Sequence, residues 1–326
     1  MKETPKMKLS VIVGVYNPPL EKFTQCLETI INQTYSNLEI ILLDDGSSNG
    51  AEKMCDEYQK RDERIRVIHQ ENYGTHAKFH IGYTLATGDY ITNADHDDYL
   101  ELDCYERLME IANEREVDVV DSGYYHHDWR TKKVSQKFVD AYFEIEGQKE
   151  IVISATNGKI STETWCKVFK KDLAKQDEQW ILADPLTFIG AQTFVHIPYA
   201  GYHFVNVEGS ISSGRLSSWH IEQLERQTKK ESIAATLEVF PYLLDYMNSN
   251  RIAWLERCYY YLTRTTKPIS EEEKIFIAQL EKHLEYKKEA SEILPFGLKF
   301  RYFAVTHRLV YLPYKFVSWY RNRRKS

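Results

Sequence analysis

Short apolar runs alternate with amphipathic segments over the first 125 residues of the chain. Runs such as LSVIVGV and LEIILLD are typical of buried strands, and the segments between them repeat apolar residues at helical spacing. One of these helical segments, HAKFHIGYTLATG, is predicted to end at Gly88. Strand, helix and strand in this order predict βαβ units, which build a parallel sheet. The sequence therefore predicts an α/β fold with a mostly parallel sheet flanked by helices.

Polar residues directly follow three of the predicted strands. They are Tyr16 and Asn17 after the first strand, the run DDGSS from Asp44 after the second, and NADHDD (93–98) after the fourth. Parallel strands end at one edge of a sheet, and open α/β sheets bind their ligands at that edge. We therefore expect the three clusters to form one binding site.

The segment NADHDD places three carboxylates within four residues. Asp95 and Asp97 are spaced i, i+2, so on a strand they share a face and can converge on Mg²⁺ or Mn²⁺, while His96 points the other way. The alternative is a polar turn in which aspartate is a turn former and Asp98 caps the following helix. The buried strand that precedes the segment favours the metal site.

The other two clusters are weaker signals when each is taken alone. A carboxylate of LLDDGSS can accept hydrogen bonds from a base or a ribose, but Asp-Gly turns are common. Tyr16 can stack on a base, but a tyrosine at a strand end more often packs in the core or at its rim.

The segments LSVIVGVYNPPLEKFTQCLETIINQTYSNLEIILLDDGSS and ATGDYITNADHDDYL resemble the family 2 glycosyltransferases with the GT-A fold. The resemblance is strong over residues 8–125 and looser up to residue 215. It implies a nucleotide-diphosphate sugar donor, a UDP-sugar by family habit, together with Mn²⁺ or Mg²⁺ and transfer with inversion. It also implies a hexosyl- or N-acetylhexosaminyl-transferase that builds a bacterial cell-surface glycan on a glycan or lipid-linked acceptor. The QxxRW motif of processive relatives is not found, so one sugar is expected per encounter.

The resemblance assigns roles by position. The nucleotide-sugar contacts would come from Val15, Tyr16, Asn17, Asp44, Asp45, Lys78 and Asp95. The metal would be held by Asp97 and Asp95, which match the DxD motif of the family. The resemblance also places a general base between a W-x-K block, here TWCKVFKK, and a second block, here GYHFVNVEGSIS. Asp184 lies between them and is the candidate base, although it can also be an ordinary loop aspartate before Pro185.

The chain departs from the family pattern at several positions. Ala183 stands where a glutamate is usual, and Val205 stands where an arginine is usual. Arg215 can compensate for Val205. Phe79 and His80 replace Arg and Asn, although Lys78 can supply the missing positive charge. These departures keep open a catalytically weak or inactive nucleotide-sugar-binding protein. A nucleotidyltransferase is disfavoured because the loop YNPPLEKF lacks glycines.

The charge distribution suggests a separate C-terminal region. The net charge of −6 argues against nucleic-acid binding, yet residues 293–326 contain eight Lys/Arg and no Asp/Glu. This aromatic, basic tail predicts a peripheral contact with an anionic membrane, the alternatives being a packed last helix or a contact in a homo-oligomer. We expect a catalytic domain over residues 1–215, with a nucleotide-binding half (8–125) and an acceptor half (126–215), and a helical region over 216–326.

Five dispersed cysteines without a CxxC pair indicate reduced thiols in a cytoplasmic protein. The sequence predicts neither a signal peptide nor a membrane-spanning helix.

Overall fold

Residues 6–72, 81–128, 131–139, 141–156, 158–174 and 190–206 are described by a computed structural model. Several predictions fall on other residues and lie outside this part of the chain. They concern Lys78, Phe79, His80, Ala183, Asp184, Arg215, the domain boundary at residue 215, and the helical region with its basic tail. These predictions remain expectations.

Strands and helices alternate in the described residues up to residue 95, as the apolar pattern predicts. In chain order they are β1 (Leu9–Val15), α1 (Leu20–Ile31), β2 (Leu38–Asp44), α2 (Ala51–Arg61), β3 (Ile65–His69), β4 (Tyr90–Asp95), β5 (Tyr99–Leu100), α3 (Cys104–Arg115), β6 (Val119–Asp128), β7 (Val134–Lys137), β8 (Phe143–Glu146), α4 (Gln148–Thr156), β9 (Lys167–Lys170), α5 (Lys171–Ala174) and β10 (Thr193–Asn206). Residues 81–85, between β3 and β4, are also helical. The alternation holds up to β4, and strands follow one another directly at β4–β5 and at β6–β7–β8.

The strands form one sheet in the order β3-β2-β1-β4-β9-β6-β10-β5, with β7 paired to β6 and β8 paired to β10. Strands β1 to β4 are parallel to one another, whereas β9 runs antiparallel between β4 and β6. Because β9 is antiparallel to both β4 and β6, these two strands run in the same direction. Strand β10 is parallel to β6. The predicted mostly parallel sheet is therefore confirmed, and its main strands all end at one edge.

Helices cover both faces of the sheet. On one face, alternate residues of β1 pack with the apolar stripes of α1 and α3, which include Phe23, Leu27 and Leu108. On the other face, Tyr83 in the helical stretch 81–85 meets Phe169 of β9 edge-to-face, with ring centroids 5.8 Å apart. Burial on both faces explains why β1 and β2 read as continuous apolar runs rather than as alternating ones.

Gly88 has a different role from the one predicted. The helical residues end at position 85, and Gly88 does not have the positive φ of a left-handed helix cap. A Cβ added at Gly88 would lie 2.7 Å from both the carbonyl oxygen of Lys8 and the Oγ of Ser10. Glycine is needed here because the chain passes close to the start of β1, not because it ends a helix.

Candidate functional site

The three polar clusters meet at the carboxyl edge of the sheet. The register pairs Val15 with Asp44, and Gly14 with Asp95, so β1 lies between the other two strand ends. His69, the last residue of β3, is paired with Asp44 and extends the same edge. The grouping expected from strand order is thus present.

The loops after β1 and β2 are tied together by Asn17. Its backbone adopts a left-handed conformation (φ 44°), which asparagine tolerates. The Asn17 N–H donates to Ser47 Oγ (3.0 Å), and its side-chain oxygen accepts the Ser48 N–H (2.8 Å). The neighbouring Tyr16 is 42% exposed, so its ring faces solvent at this edge rather than packing in the core.

Asp44 and Asp45 are both buried, and both are held by hydrogen bonds. Asp44 accepts the Ser47 N–H (2.9 Å) through Oδ1, and its Oδ2 lies 2.7 Å from His69 Nδ1. The N–H of Asp45 donates to the Val15 carbonyl (2.9 Å), and its Oδ1 accepts from the Gln70 amide (2.8 Å). Both carboxylates are therefore fixed in orientation before any ligand arrives.

His69 and Gln70 were missed by the sequence reasoning. The hydrogen bond to Asp44 raises the pKa of His69, although burial opposes this, and Asp56 adds a second carboxylate 3.2 Å from Nε2. The signal was present, since HQ follows the third predicted strand as the other clusters follow theirs. If polar residues after the third strand are counted as site candidates, as they are after the other strands, His69 and Gln70 are both included.

Strand β4 ends at Asp95, and His96 and Asp97 lie on the turn that follows, so the shared strand face predicted for Asp95 and Asp97 is not formed and the alternative, a polar turn, is. Both carboxylates are half-buried. The Asp98 N–H donates to the Asp95 carbonyl (3.2 Å) and closes this turn. The Nδ1 of His96 is 2.9 Å from the Gly14 carbonyl and must donate to it, so the ring points toward β1, as expected. With His96 bonded to the backbone, the carboxylates of Asp95 and Asp97 are the groups of the DxD motif that can bind a cation.

Asp98 is not a helix cap, and that part of the prediction is wrong. Strand β5 intervenes, and the N-cap of α3 is Asp103. Asp98 is 1% exposed, and its carboxyl accepts the Tyr202 hydroxyl (2.8 Å) and the Val205 N–H (2.7 Å). Burial raises the pKa of Asp98 well above its usual range, and the charges of Asp95 and Asp97 add to this effect.

A second group of side chains lies where β5, β6 and β10 run together. The ring of His203 is stacked between Tyr99 and Tyr125, with centroid distances of 4.2 and 4.4 Å. Its Nε2 is 2.9 Å from Glu101, and its Nδ1 is 2.9 Å from His127 Nε2. Burial lowers the pKa of His127, and the neighbouring His203 lowers it further. No sequence motif indicates this cluster, because it is created by the pairing of β10 with β5 and β6.

The two characteristic residues of the W-x-K block are buried. Lys167 Nζ lies 2.7 Å from Asp121 Oδ1, both side chains are fully buried, and the other carboxyl oxygen is 2.7 Å from His196 Nδ1. Burial disfavours the charge on Lys167, but Asp121 and Cys166 together outweigh this and raise the pKa of the lysine. Trp165 stacks on Tyr202 at 4.4 Å. This block therefore supports the site from within the core.

The donor set at Asp95 and Asp97 suits a cation that is shared with a ligand. Within the described residues, no group of three or more His, Cys, Asp or Glu side chains is arranged to hold a metal ion. Mg²⁺ is usually held by one or two carboxylates together with phosphate oxygens and water. Two half-buried carboxylates on one turn fit that arrangement.

None of the helices in the described ranges is long and apolar enough to cross a membrane. The basic tail, on which the membrane prediction depends, lies outside these ranges.

Comparison with known proteins agrees with this geometry. The chain matches glycosyl transferase family 2 over residues 10–176. It is 38% identical over 141 residues to glycosyltransferase GlyG of Streptococcus pneumoniae serotype 4, covering 43% of this chain and 44% of that protein. It is 32% identical over 171 residues to the GalNAc(5)-diNAcBac-PP-undecaprenol beta-1,3-glucosyltransferase of Campylobacter jejuni, covering 51% and 52%. The chain thus spans about half the length of these curated relatives.

Among solved structures, the fold is similar to that of S. aureus TarS 1-349 in complex with UDP-GlcNAc. The TM-score is 0.63 at 17% sequence identity, over 95% of this chain and 89% of that chain. At this identity the likeness concerns the fold alone. Because the family match covers half of the chain and includes the three strand-end clusters, the chain belongs to glycosyl transferase family 2 and has the GT-A fold.

Proposed function

We propose that the protein transfers a sugar from a nucleotide-diphosphate donor to a hydroxyl group of a glycan or lipid-linked acceptor, with inversion at the anomeric carbon. The observation that carries this proposal is the meeting of three polar strand ends at one sheet edge, with Asp95 and Asp97 beside the end of β1. Transfer of one sugar per encounter is proposed from the lack of a processive motif.

The relatives support the choice of donor and acceptor. TarS was solved with UDP-GlcNAc, which supports a UDP-linked N-acetylhexosamine as the donor, whereas the C. jejuni relative is named a glucosyltransferase, which supports a hexose. The C. jejuni relative is named for an undecaprenol-linked acceptor, which supports a lipid-linked acceptor and a role in cell-surface glycan synthesis.

The nucleotide would lie against the ends of β1 and β2. The exposed ring of Tyr16 is available to stack on the base, and the fixed carboxylate of Asp45 can accept hydrogen bonds from it. The remaining contacts are proposed for Val15, Asn17, Asp44 and Lys78.

The diphosphate would lie at the turn after β4. Asp97 and Asp95 would hold Mn²⁺ or Mg²⁺, and Asp95 would also contact the donor. When bound, the ion would neutralise the diphosphate as the sugar leaves. Asp184 would take the proton from the acceptor hydroxyl as general base.

The experiment is a measurement of UDP release with a panel of UDP-sugars, with and without Mn²⁺. We expect Asp97→Ala to abolish metal-dependent UDP binding, because it removes a carboxylate ligand. Asp184→Ala should retain UDP binding and lose transfer. Glu110→Ala is the matched control, since Glu110 is an exposed carboxylate on α3.

The proposal is refuted if the wild type neither binds nor turns over any donor. Transfer that survives Asp184→Ala would remove Asp184 as the base.

A nucleotide-sugar-binding protein without turnover is the second candidate. It is favoured by the departures at Phe79, His80, Ala183 and Val205. The structure describes only Val205, whose backbone N–H donates to Asp98, and any residue except proline could make this bond. Binding of UDP without UDP release on any acceptor would select this candidate.

We also propose a cytoplasmic location with a peripheral membrane contact through residues 293–326. Cosedimentation of the full chain with anionic vesicles, compared with a chain lacking these residues, is the test. Equal binding of the two proteins would exclude the tail as the contact and leave a role in packing or in a homo-oligomer.

A further inference from the structure

Tyr202 joins strand β10 to the turn that carries Asp95 and Asp97. Its hydroxyl accepts the backbone N–H of Asp95 (3.0 Å) and donates to Asp98 Oδ2 (2.8 Å). The other oxygen of Asp98 accepts the N–H of Val205, also on β10 (2.7 Å). The two ends of the four-residue turn are thus both fastened to the same strand.

These bonds are made away from water. Tyr202 is 0% exposed and Asp98 is 1% exposed. In such surroundings a hydrogen bond is stronger than in water, and a lost partner is more costly. The link between the turn and β10 is therefore stiff.

The ring of Tyr202 is held in turn by an aromatic layer. Trp165 stacks on it at 4.4 Å, and Tyr124 meets Trp165 edge-on at 4.6 Å. Phe204 is stacked on the same indole at 5.7 Å. The tryptophan of the W-x-K block thus supports the residue that holds the turn.

Three carboxylates within one short turn repel each other, so the turn needs an external constraint to keep Asp95 and Asp97 in a fixed arrangement. The hydrogen bonds from β10 are made to the backbone of residue 95 and to the side chain of Asp98, and none of them involves the carboxylate of Asp97. Partners that orient a metal ligand typically contribute 10- to 100-fold to metal affinity, an order-of-magnitude value.

We propose that Tyr202 and Asp98 are positioning residues that fix the DxD turn for the shared metal and diphosphate, with Trp165 as their support. This inference rests on the proposed function, since it requires a metal–diphosphate complex at Asp95 and Asp97.

The test measures the Mn²⁺ concentration that gives half-maximal UDP binding, and separately the affinity for uridine without metal. Tyr202→Phe keeps the ring and removes both hydroxyl bonds, so the required Mn²⁺ should rise by roughly 10-fold or more, while uridine affinity stays unchanged. Asp98→Asn is the milder variant, because a carboxamide retains the size and loses at least one of the bonds. It should shift the Mn²⁺ requirement in the same direction and serves as the second variant if Tyr202→Phe does not fold.

Tyr105→Phe is the matched control. Tyr105 on α3 is also 0% exposed, and among the described residues its hydroxyl has no hydrogen-bond partner. Tyr105→Phe also removes a buried phenolic oxygen, but this oxygen makes no bond to the turn. The Mn²⁺ requirement should therefore stay at the wild-type value.

The outcomes separate the inference from the function on which it rests. If the wild type shows no Mn²⁺-dependent UDP binding, the proposed function fails and the inference fails with it. If the wild type binds, and Tyr202→Phe and Asp98→Asn both behave like Tyr105→Phe, only the positioning role is overturned. An equal loss of uridine and Mn²⁺-dependent binding would show a general loosening of the site and would also overturn it.

Discussion

Lys167 of the W-x-K block should be required for stability because its charge is buried with that of Asp121. The two groups are 2.7 Å apart, and both side chains are 0% exposed. Lys167→Met keeps an apolar chain of similar length but leaves Asp121 buried without its cation. Removing one partner of a buried pair typically costs about 3–5 kcal/mol.

Two further contacts set where in this range the value should fall. His196 Nδ1, 2.7 Å from the other oxygen of Asp121, remains after the substitution and reduces the penalty. The substitution also removes the bond from Lys167 to the Glu163 carbonyl (2.7 Å), which leaves that oxygen without this donor. The Glu163 carbonyl still accepts from Cys166 Sγ (3.5 Å), so the retained His196 contact is the larger effect, and we expect a loss at the lower end, about 3 kcal/mol. With an m-value of about 3 kcal/mol/M, the urea midpoint should fall by about 1 M.

The assay is urea unfolding followed by circular dichroism and tryptophan fluorescence. Lys170→Met is the control on the same strand, because Lys170 pairs with Asp118 at 3.0 Å but the two side chains are 38% and 18% exposed. A partly exposed pair of this kind should cost about 0–1 kcal/mol. In Lys167→Met/Asp121→Asn the loss should be less than the sum of the single losses, because the unpaired charge is removed. Equal, small losses for Lys167→Met and Lys170→Met would refute the reasoning, since they would mean that Lys167 and Asp121 are not desolvated together.

Two further predictions concern β3 and the start of β4. The hydrogen bond to Asp44 raises the pKa of His69, so the stabilisation is fully present below about pH 6.5 and is lost as pH rises through the folded-state pKa. His69→Gln should therefore destabilise the protein more at about pH 5.5 than at about pH 8.5 in urea titrations, and the opposite order would contradict this sign. Gly88→Ala should cost about 1–3 kcal/mol in the same assay, because its Cβ would meet the Lys8 carbonyl at 2.7 Å. An unchanged midpoint would show that the chain has room there.

The sequence by itself predicted the parallel strands of the first 125 residues and the shared edge at which their polar ends lie. Continuous apolar runs predicted strands buried on both faces, and βαβ order predicted that polar strand ends would share an edge, which the pairing of Val15 with Asp44 and Gly14 with Asp95 confirms. These inferences succeeded because they depend on local periodicity and on the direction of neighbouring strands. The strand alternation expected for Asp95, His96 and Asp97 does not apply, because β4 ends at Asp95 and residues 96–97 form a turn.

Only the tertiary structure decided what the individual polar residues contact. Asp98 looked like a helix cap because capping is the local role of aspartate, yet its partners Tyr202 and Val205 lie more than a hundred residues later in the chain. Gly88 looked like a helix end, yet it is required by the approach of the chain to Lys8. Lys167 and Asp121 are likewise brought together by strand pairing. Local sequence cannot encode such partners, because the free energy of a buried polar group depends on side chains that only the assembled sheet brings within hydrogen-bonding distance.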